Sequence, residues 1–137
     1  MVDFGQPVGT EMGMEHPALI VSVPELVALK RLIVVAGTSN RFTNNQGNVL
    51  AFHLEVPASA VNGLSHTTYF MSEQVRSLSI QRFRRRVGSI ESPLLRDLEN
   101  RLCLVMKLFS LKGEGTLSTR LISFVEHPSE FNNLACR

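Results

Sequence analysis

The densest chemistry in the chain is Arg82-Phe83-Arg84-Arg85-Arg86, preceded by Gln81: a run of guanidinium groups around one aromatic ring. Guanidinium grips phosphate through paired N–H donors, and both it and an aromatic ring can stack on an unpaired base, so the run suits single-stranded RNA. It equally suits a solvated basic face or a docking site for an acidic partner segment. Just upstream, Glu73, Gln74 and Arg76 alternate along an extended stretch. Regular pleating sends Glu73 and Val75 to one face and Gln74 and Arg76 to the other, so these polar groups share a surface only if the strand is bulged. Cys103 and Cys136 have no metal-ligand spacing, which predicts thiols and no metal site.

These groups need a scaffold, and the apolar pattern supplies one. Residues 17–23 form a branched run bounded by Pro17 and Pro24, and Leu32-Ile33-Val34-Val35-Ala36 is another; both predict strands buried on two faces. Between them, residues 25–30 fit either a single helical turn or a loop. Residues 41–48 are amide-rich and contain Gly47, the chemistry of a surface loop. Alternation predicts strands over 49–56 and 68–75, and a short final strand is expected over 86–90. A helix is predicted to start with Ser92 as its cap and Pro93 as its first residue. Leu95, Leu98, Leu102, Val105 and Phe109 then form one apolar stripe, with a stop near Lys112-Gly113. Strands first and a long helix last argue for a compact, mainly antiparallel barrel or twisted sheet with the helix packed on it.

The chain has 137 residues, 44% of them hydrophobic, which suits one domain with its own core. A formal charge of +2 neither demands nor excludes a nucleic-acid partner. Met1-Val2-Asp3-Phe4 carries no basic leader, and no apolar run reaches membrane-spanning length, so a cytoplasmic location is expected and no membrane partner.

The stretch Val2-Asp3-Phe4-Gly5-Gln6-Pro7-Val8-Gly9-Thr10-Glu11-Met12-Gly13-Met14-Glu15-His16-Pro17-Ala18-Leu19-Ile20-Val21-Ser22 resembles the PemK/MazF toxins without a gap. Two further blocks follow in the family's order: Ile33-Val34-Val35-Ala36-Gly37-Thr38-Ser39-Asn40 and Ser72-Glu73-Gln74-Val75-Arg76-Ser77-Leu78. The resemblance assigns residues 1–111 to a toxin domain and leaves 112–137 as a tail outside the family pattern. It implies a small SH3-like barrel of the CcdB/PemK type that forms a homodimer and is held by a cognate antitoxin. It also implies metal-independent, cofactor-free cleavage of single-stranded RNA. Family members generally open with a further strand before the Val-Asp-Phe segment. Its absence predicts an exposed sheet edge, which the apolar patch at 121–125 could cover as a replacement strand.

The resemblance puts His16 where the family has a catalytic arginine. An imidazole titrates near neutrality whereas a guanidinium keeps its charge, yet histidine is also the common acid or base in ribonucleases. His16 is therefore read as catalytic, against the plainer role of a histidine at a loop end. Thr38 matches the second catalytic position, its hydroxyl able to donate to a phosphate oxygen, against the plainer role of a threonine satisfying its own turn. Thr10, Glu11, Ser39, Glu73, Gln74, Arg76, Arg82 and Arg84 complete the expected RNA contacts, with Gln74 and Arg76 ranked above Glu73 as a base. The alternative reading is a member that has lost cleavage through the His16 exchange and binds a protein instead, an antitoxin or a gyrase-type target.

Overall fold

The computed structural model describes residues 1–108; Phe109, the patch at 121–125 and the whole of 112–137 lie outside them. The described elements are β1 (Val2–Asp3), β2 (Glu15–His16), β3 (Ala18–Ile20), β4 (Arg31–Thr38), β5 (His53–Val56), β6 (Thr68–Ser79) and α1 (Ser92–Val105). β1 and β2 form a small two-stranded sheet, while a four-stranded sheet runs in the order β3-β4-β6-β5. Every pairing is antiparallel. The fold is mainly β, a curled sheet amounting to a half-barrel, with the helix packed on it, as the order of patterns predicted.

β4 is central, and its run of branched residues is apolar in both directions because both faces of the sheet are covered. Val35 faces one cluster with Leu19, Leu54, Val56 and Phe70, closed by Leu95, Leu98 and Leu102 of α1. Val34 and Ala36 face another with Val2, Phe4, Ala18, Leu32, Met71 and Phe83. Gly37 separates these layers at a tight spot, where a Cβ would stand 2.8 Å from the Phe70 ring and 2.9 Å from the Thr68 methyl.

Several sequence expectations need correction. Residues 2–3 and 15–16 pair as strands, although they are too short to show any periodicity. Residues 86–90 form no strand: the backbone there docks onto the loop after β5, with Ser89 N–H donating to Val61 O and Gly88 against the Asn62 carbonyl. Gly63, at φ +64°, completes this backbone-to-backbone contact, since a side chain there would strike the Val87 carbonyl. β5 begins only at His53, because residues 49–52 turn back on the loop before them, with a bridge between Thr43 and Val49. The connection between β3 and β4 takes the helical option, a 3-10 helix over Pro24–Leu29 that ends on Lys30 at φ 54°.

The helix cap is Glu91 rather than Ser92, and its carboxylate is diverted from the helix end to the Ser59 hydroxyl and the Asn62 amide. Asn62, fully buried, in turn accepts from the Ser59 and Leu64 N–H groups and donates to the Pro57 carbonyl. α1 ends at Val105, short of residue 112. Leu104, Met106 and Leu108 are exposed, so burial does not favour helix over residues 106–108. No helix among the described residues is long and apolar enough to cross a membrane.

Candidate functional site

Pro17 decides where the site begins. It has no N–H to continue a ladder, so β2 and β3 fall into separate sheets, yet its carbonyl still accepts from Gly37 N–H at 2.8 Å. Ala18 pairs with Ala36 in the register of β3 on β4. His16 itself pairs with Val2 of β1, and Thr38, at the end of β4, pairs with Tyr69, so the Pro17–Gly37 bond joins the two backbones one residue from each of them. His16 is half-buried and Thr38 is buried. The Thr38 Oγ1 accepts from Asn40 N–H at 3.1 Å, the turn-satisfying role, which leaves the hydroxyl proton free to donate. Ser39 beyond it is exposed.

The strand carrying Glu73 is irregular. Val35 pairs with Val75 and Gly37 with Phe70, so Ala36 alone faces residues 71–74 of β6. This bulge reverses the alternation, and its effect is visible on both sides of it. Val75 packs with the helix-side cluster, while Met71 belongs to the cluster beneath β1. Glu73, Gln74 and Arg76 consequently all reach over the face that carries Val34, Ala36 and Met71. That is the shared surface the sequence permitted only with a bulge.

Gln74 and Arg76 hold down the loop between β1 and β2. Gln74 accepts from Met12 N–H and donates to Thr10 O, both at 3.3 Å. Arg76 donates to Met12 O at 3.0 Å and to the Glu11 carboxylate at 3.1 Å, with its guanidinium 6.0 Å from the Phe4 ring centroid. Four of the expected RNA contacts, Thr10, Glu11, Gln74 and Arg76, are thus joined to one another. Met14, at φ 61°, lets the loop return to β2, where Phe4 and Gly5 close it by bonds with Met14.

Glu73 takes a partner that the sequence did not suggest. Its Oε1 lies 2.7 Å from Nε2 of His53, which is buried between the rings of Phe42 and Phe52. His53 is inconspicuous in a strand that alternates around Phe52 and Leu54, and only the register of β5 on β6 joins it to Glu73.

The arginine run divides. Phe83 is buried and bridges to Val2, so its ring belongs to the core and is not available to a base. Arg82, Arg84, Arg85 and Arg86 are exposed. Arg82 donates to Asp3 O at 3.3 Å, and Arg84 meets the Asp3 carboxylate at 2.9 Å. The Gly5 N–H first, and then Arg84, hold the Asp3 carboxyl below the usual carboxylate range. Among the described residues no group of three or more His, Cys, Asp or Glu side chains could hold a metal ion.

A family model described as the PemK-like, MazF-like toxin of type II toxin–antitoxin systems matches residues 1–106. No curated protein matches the chain. A solved MazF from Deinococcus radiodurans superposes with a TM-score of 0.64 at 19% identity, covering 78% of this chain and 90% of that one. The Mycobacterium tuberculosis toxin MazF-mt6 gives 0.59 at 18% identity, covering 72% and 93%. At such identities these structures establish the likeness of fold.

Proposed function

Because the chain belongs to the PemK-like, MazF-like toxins of type II toxin–antitoxin systems, we propose that it is a metal-independent endoribonuclease that cuts single-stranded RNA at short sequences. The observation that carries this reading is the bulge in β6, which turns Glu73, Gln74 and Arg76 onto one face, with His16 and Thr38 each one residue from the Pro17–Gly37 backbone bond. In the reaction the ribose 2′-OH gives up its proton to a base and its oxygen attacks the adjacent phosphorus. The bond to the 5′-oxygen breaks, that oxygen takes a proton, and a cyclic phosphate remains.

Each side chain has a part that its surroundings allow. His16 returns a proton to the leaving 5′-oxygen. The free hydroxyl proton of Thr38 donates to a phosphate oxygen, with Ser39 beside it, and so stabilises charge as it develops. Glu73 keeps its second carboxylate oxygen without a protein partner among the described residues, and its side chain is 37% exposed, which suits a proton acceptor. Gln74 and Arg76 act on RNA by holding Thr10 and Glu11 at the rim. Arg82 and Arg84 supply phosphate contacts from the exposed basic segment, which is also the surface offered to the cognate antitoxin. A second copy of the chain completes a homodimer, toward which Val8 and Met14 present exposed apolar surface. The RNA target puts the action in the bacterial cytoplasm.

The test is incubation of purified protein with long single-stranded RNA in the presence of EDTA. Discrete fragments are expected, and both His16→Ala and Thr38→Val should abolish them. Intact RNA after incubation with a demonstrably folded protein would sink the proposal.

A further inference from the structure

His53 is the histidine of the described residues most thoroughly withdrawn from water, 2% exposed, and no step above uses it. Its ring is fixed on three sides. Phe42 stands edge-on with centroids 5.8 Å apart at 82°, and Phe52 does so at 5.1 Å and 85°. The third constraint is the 2.7 Å bond from Nε2 to Glu73 Oε1. His53 pairs with Met71 in the register of β5 on β6, so the ring lies on the face shared with Ala36 and Met71.

Chemistry assigns the proton. With a carboxylate oxygen as acceptor, the bond places a hydrogen on Nε2, while Nδ1 is buried with no hydrogen-bond partner. A buried polar atom without a partner is disfavoured, and here it accompanies a ring that could have met its hydrogen-bonding needs at the surface. The arrangement becomes intelligible if the Nε2 bond is what the ring is there to make. A glutamate on a bulged, partly exposed segment has several rotatable bonds, and a single short bond from a clamped donor removes that freedom.

We infer that His53 is a positioning residue for Glu73: it donates to one carboxylate oxygen and thereby presents the other to the ribose 2′-OH of the RNA. The inference rests on the endoribonuclease reading. In the step concerned, the 2′-OH proton passes to Glu73 Oε2 while its oxygen forms the new bond to phosphorus, the P–O5′ bond breaks, and His16 gives a proton to the 5′-oxygen. His53 exchanges no proton in this step and touches no substrate atom.

The experiment uses the full chain, with a cleavable RNA oligonucleotide and circular dichroism to verify folding. His53→Leu should lower kcat about tenfold or more with KM little changed, and His53→Gln, which keeps an N–H donor near the Nε2 position, should recover most of the loss. In a Glu73→Gln background, His53→Leu should cost almost nothing further, because its effect runs through the carboxylate. A folded His53→Leu protein with unchanged kcat would overturn the inference, as would an equal loss in both backgrounds. Long-range proton–nitrogen NMR of the imidazole supplies a readout independent of cleavage. A proton on Nε2 whose resonance moves on Glu73→Gln supports the pairing, and an Nε2 that carries no proton refutes it. If the native protein cuts no RNA at all, the functional reading fails, and the imidazole spectrum by itself decides whether His53 holds Glu73.

Discussion

The two faces of the four-stranded sheet are closed by different means. On one, Leu95, Leu98 and Leu102 of α1 lie against Leu19, Val35, Leu54 and Phe70, an apolar seal made by one regular element. On the other, β1 and the loop that follows it cover Val34, Ala36 and Met71, but much of their attachment is polar: Gln74 and Arg76 to Thr10, Glu11 and Met12, and Arg82 and Arg84 to Asp3. Apolar burial is non-directional and scales with area, so the helix face holds the fold together. Hydrogen bonds and exposed ion pairs are directional and individually weak, so the opposite face fixes positions at small cost in stability and can be remodelled by a ligand. The proposed site lies on that second face.

Substitution should expose this contrast. Leu98→Ala, at a fully buried position under the helix, should cost about 2–5 kcal/mol, read as a lowered denaturant midpoint. A loss no larger than that of a surface alanine would end the claim that this face carries stability. Gly37→Ala probes the boundary between the faces: the new methyl collides with the Phe70 ring and the Thr68 methyl, and a loss of about 1–3 kcal/mol is expected from overpacking. The same unfolding assay checks it, and a neutral outcome would mean that the layers are looser than their spacing implies.

The junction between α1 and the loop after β5 has its own signature in pH. Burial tends to raise the Glu91 carboxyl, but bonds from the Ser59 hydroxyl, its own backbone N–H and Asn62 outweigh it and leave the group below its ordinary value. A depressed folded-state pKa gives stability that is present above the unfolded value and lost as pH falls through the folded one. Unfolding free energy should therefore decline below the ordinary carboxylate range, and Glu91→Gln should flatten that decline. An identical slope in the variant would remove Glu91 from the account. The smallest global effect is expected from Arg76→Ala, under about 1 kcal/mol because the Glu11 partner is exposed. Its consequence should be local, with faster amide exchange at Met12, whose N–H is held by Gln74. Slow exchange retained there would show that the loop does not depend on Arg76.

The helix face was legible because one periodicity governs it. The stripe from Leu95 to Leu102 and the runs over β3 and β4 each read from a few consecutive residues. The other face was legible only as a set of residue types in family order. The arginine run looked uniform in sequence, yet Phe83 turned inward while its neighbours stayed in water, since a residue facing Val2 and Phe4 gains more from burial than from stacking on a base. Residues 86–90 were expected as a short final strand, but glycines at 63 and 88 let two backbones meet there instead.

By itself the sequence determined the class of fold, the helix and its buried stripe, the central strands and the resemblance to the toxin family, because these depend on local period and residue order. It did not determine the bulge over residues 71–74, the Pro17–Gly37 bond beside His16 and Thr38, or the bond between His53 and Glu73. Those depend on the registers of β3 on β4, β4 on β6 and β5 on β6, which bring together residues far apart in the chain. A slip of one residue in any of them would send the same side chains to the opposite face, so register, a property of the packed sheet as a whole, decided the site.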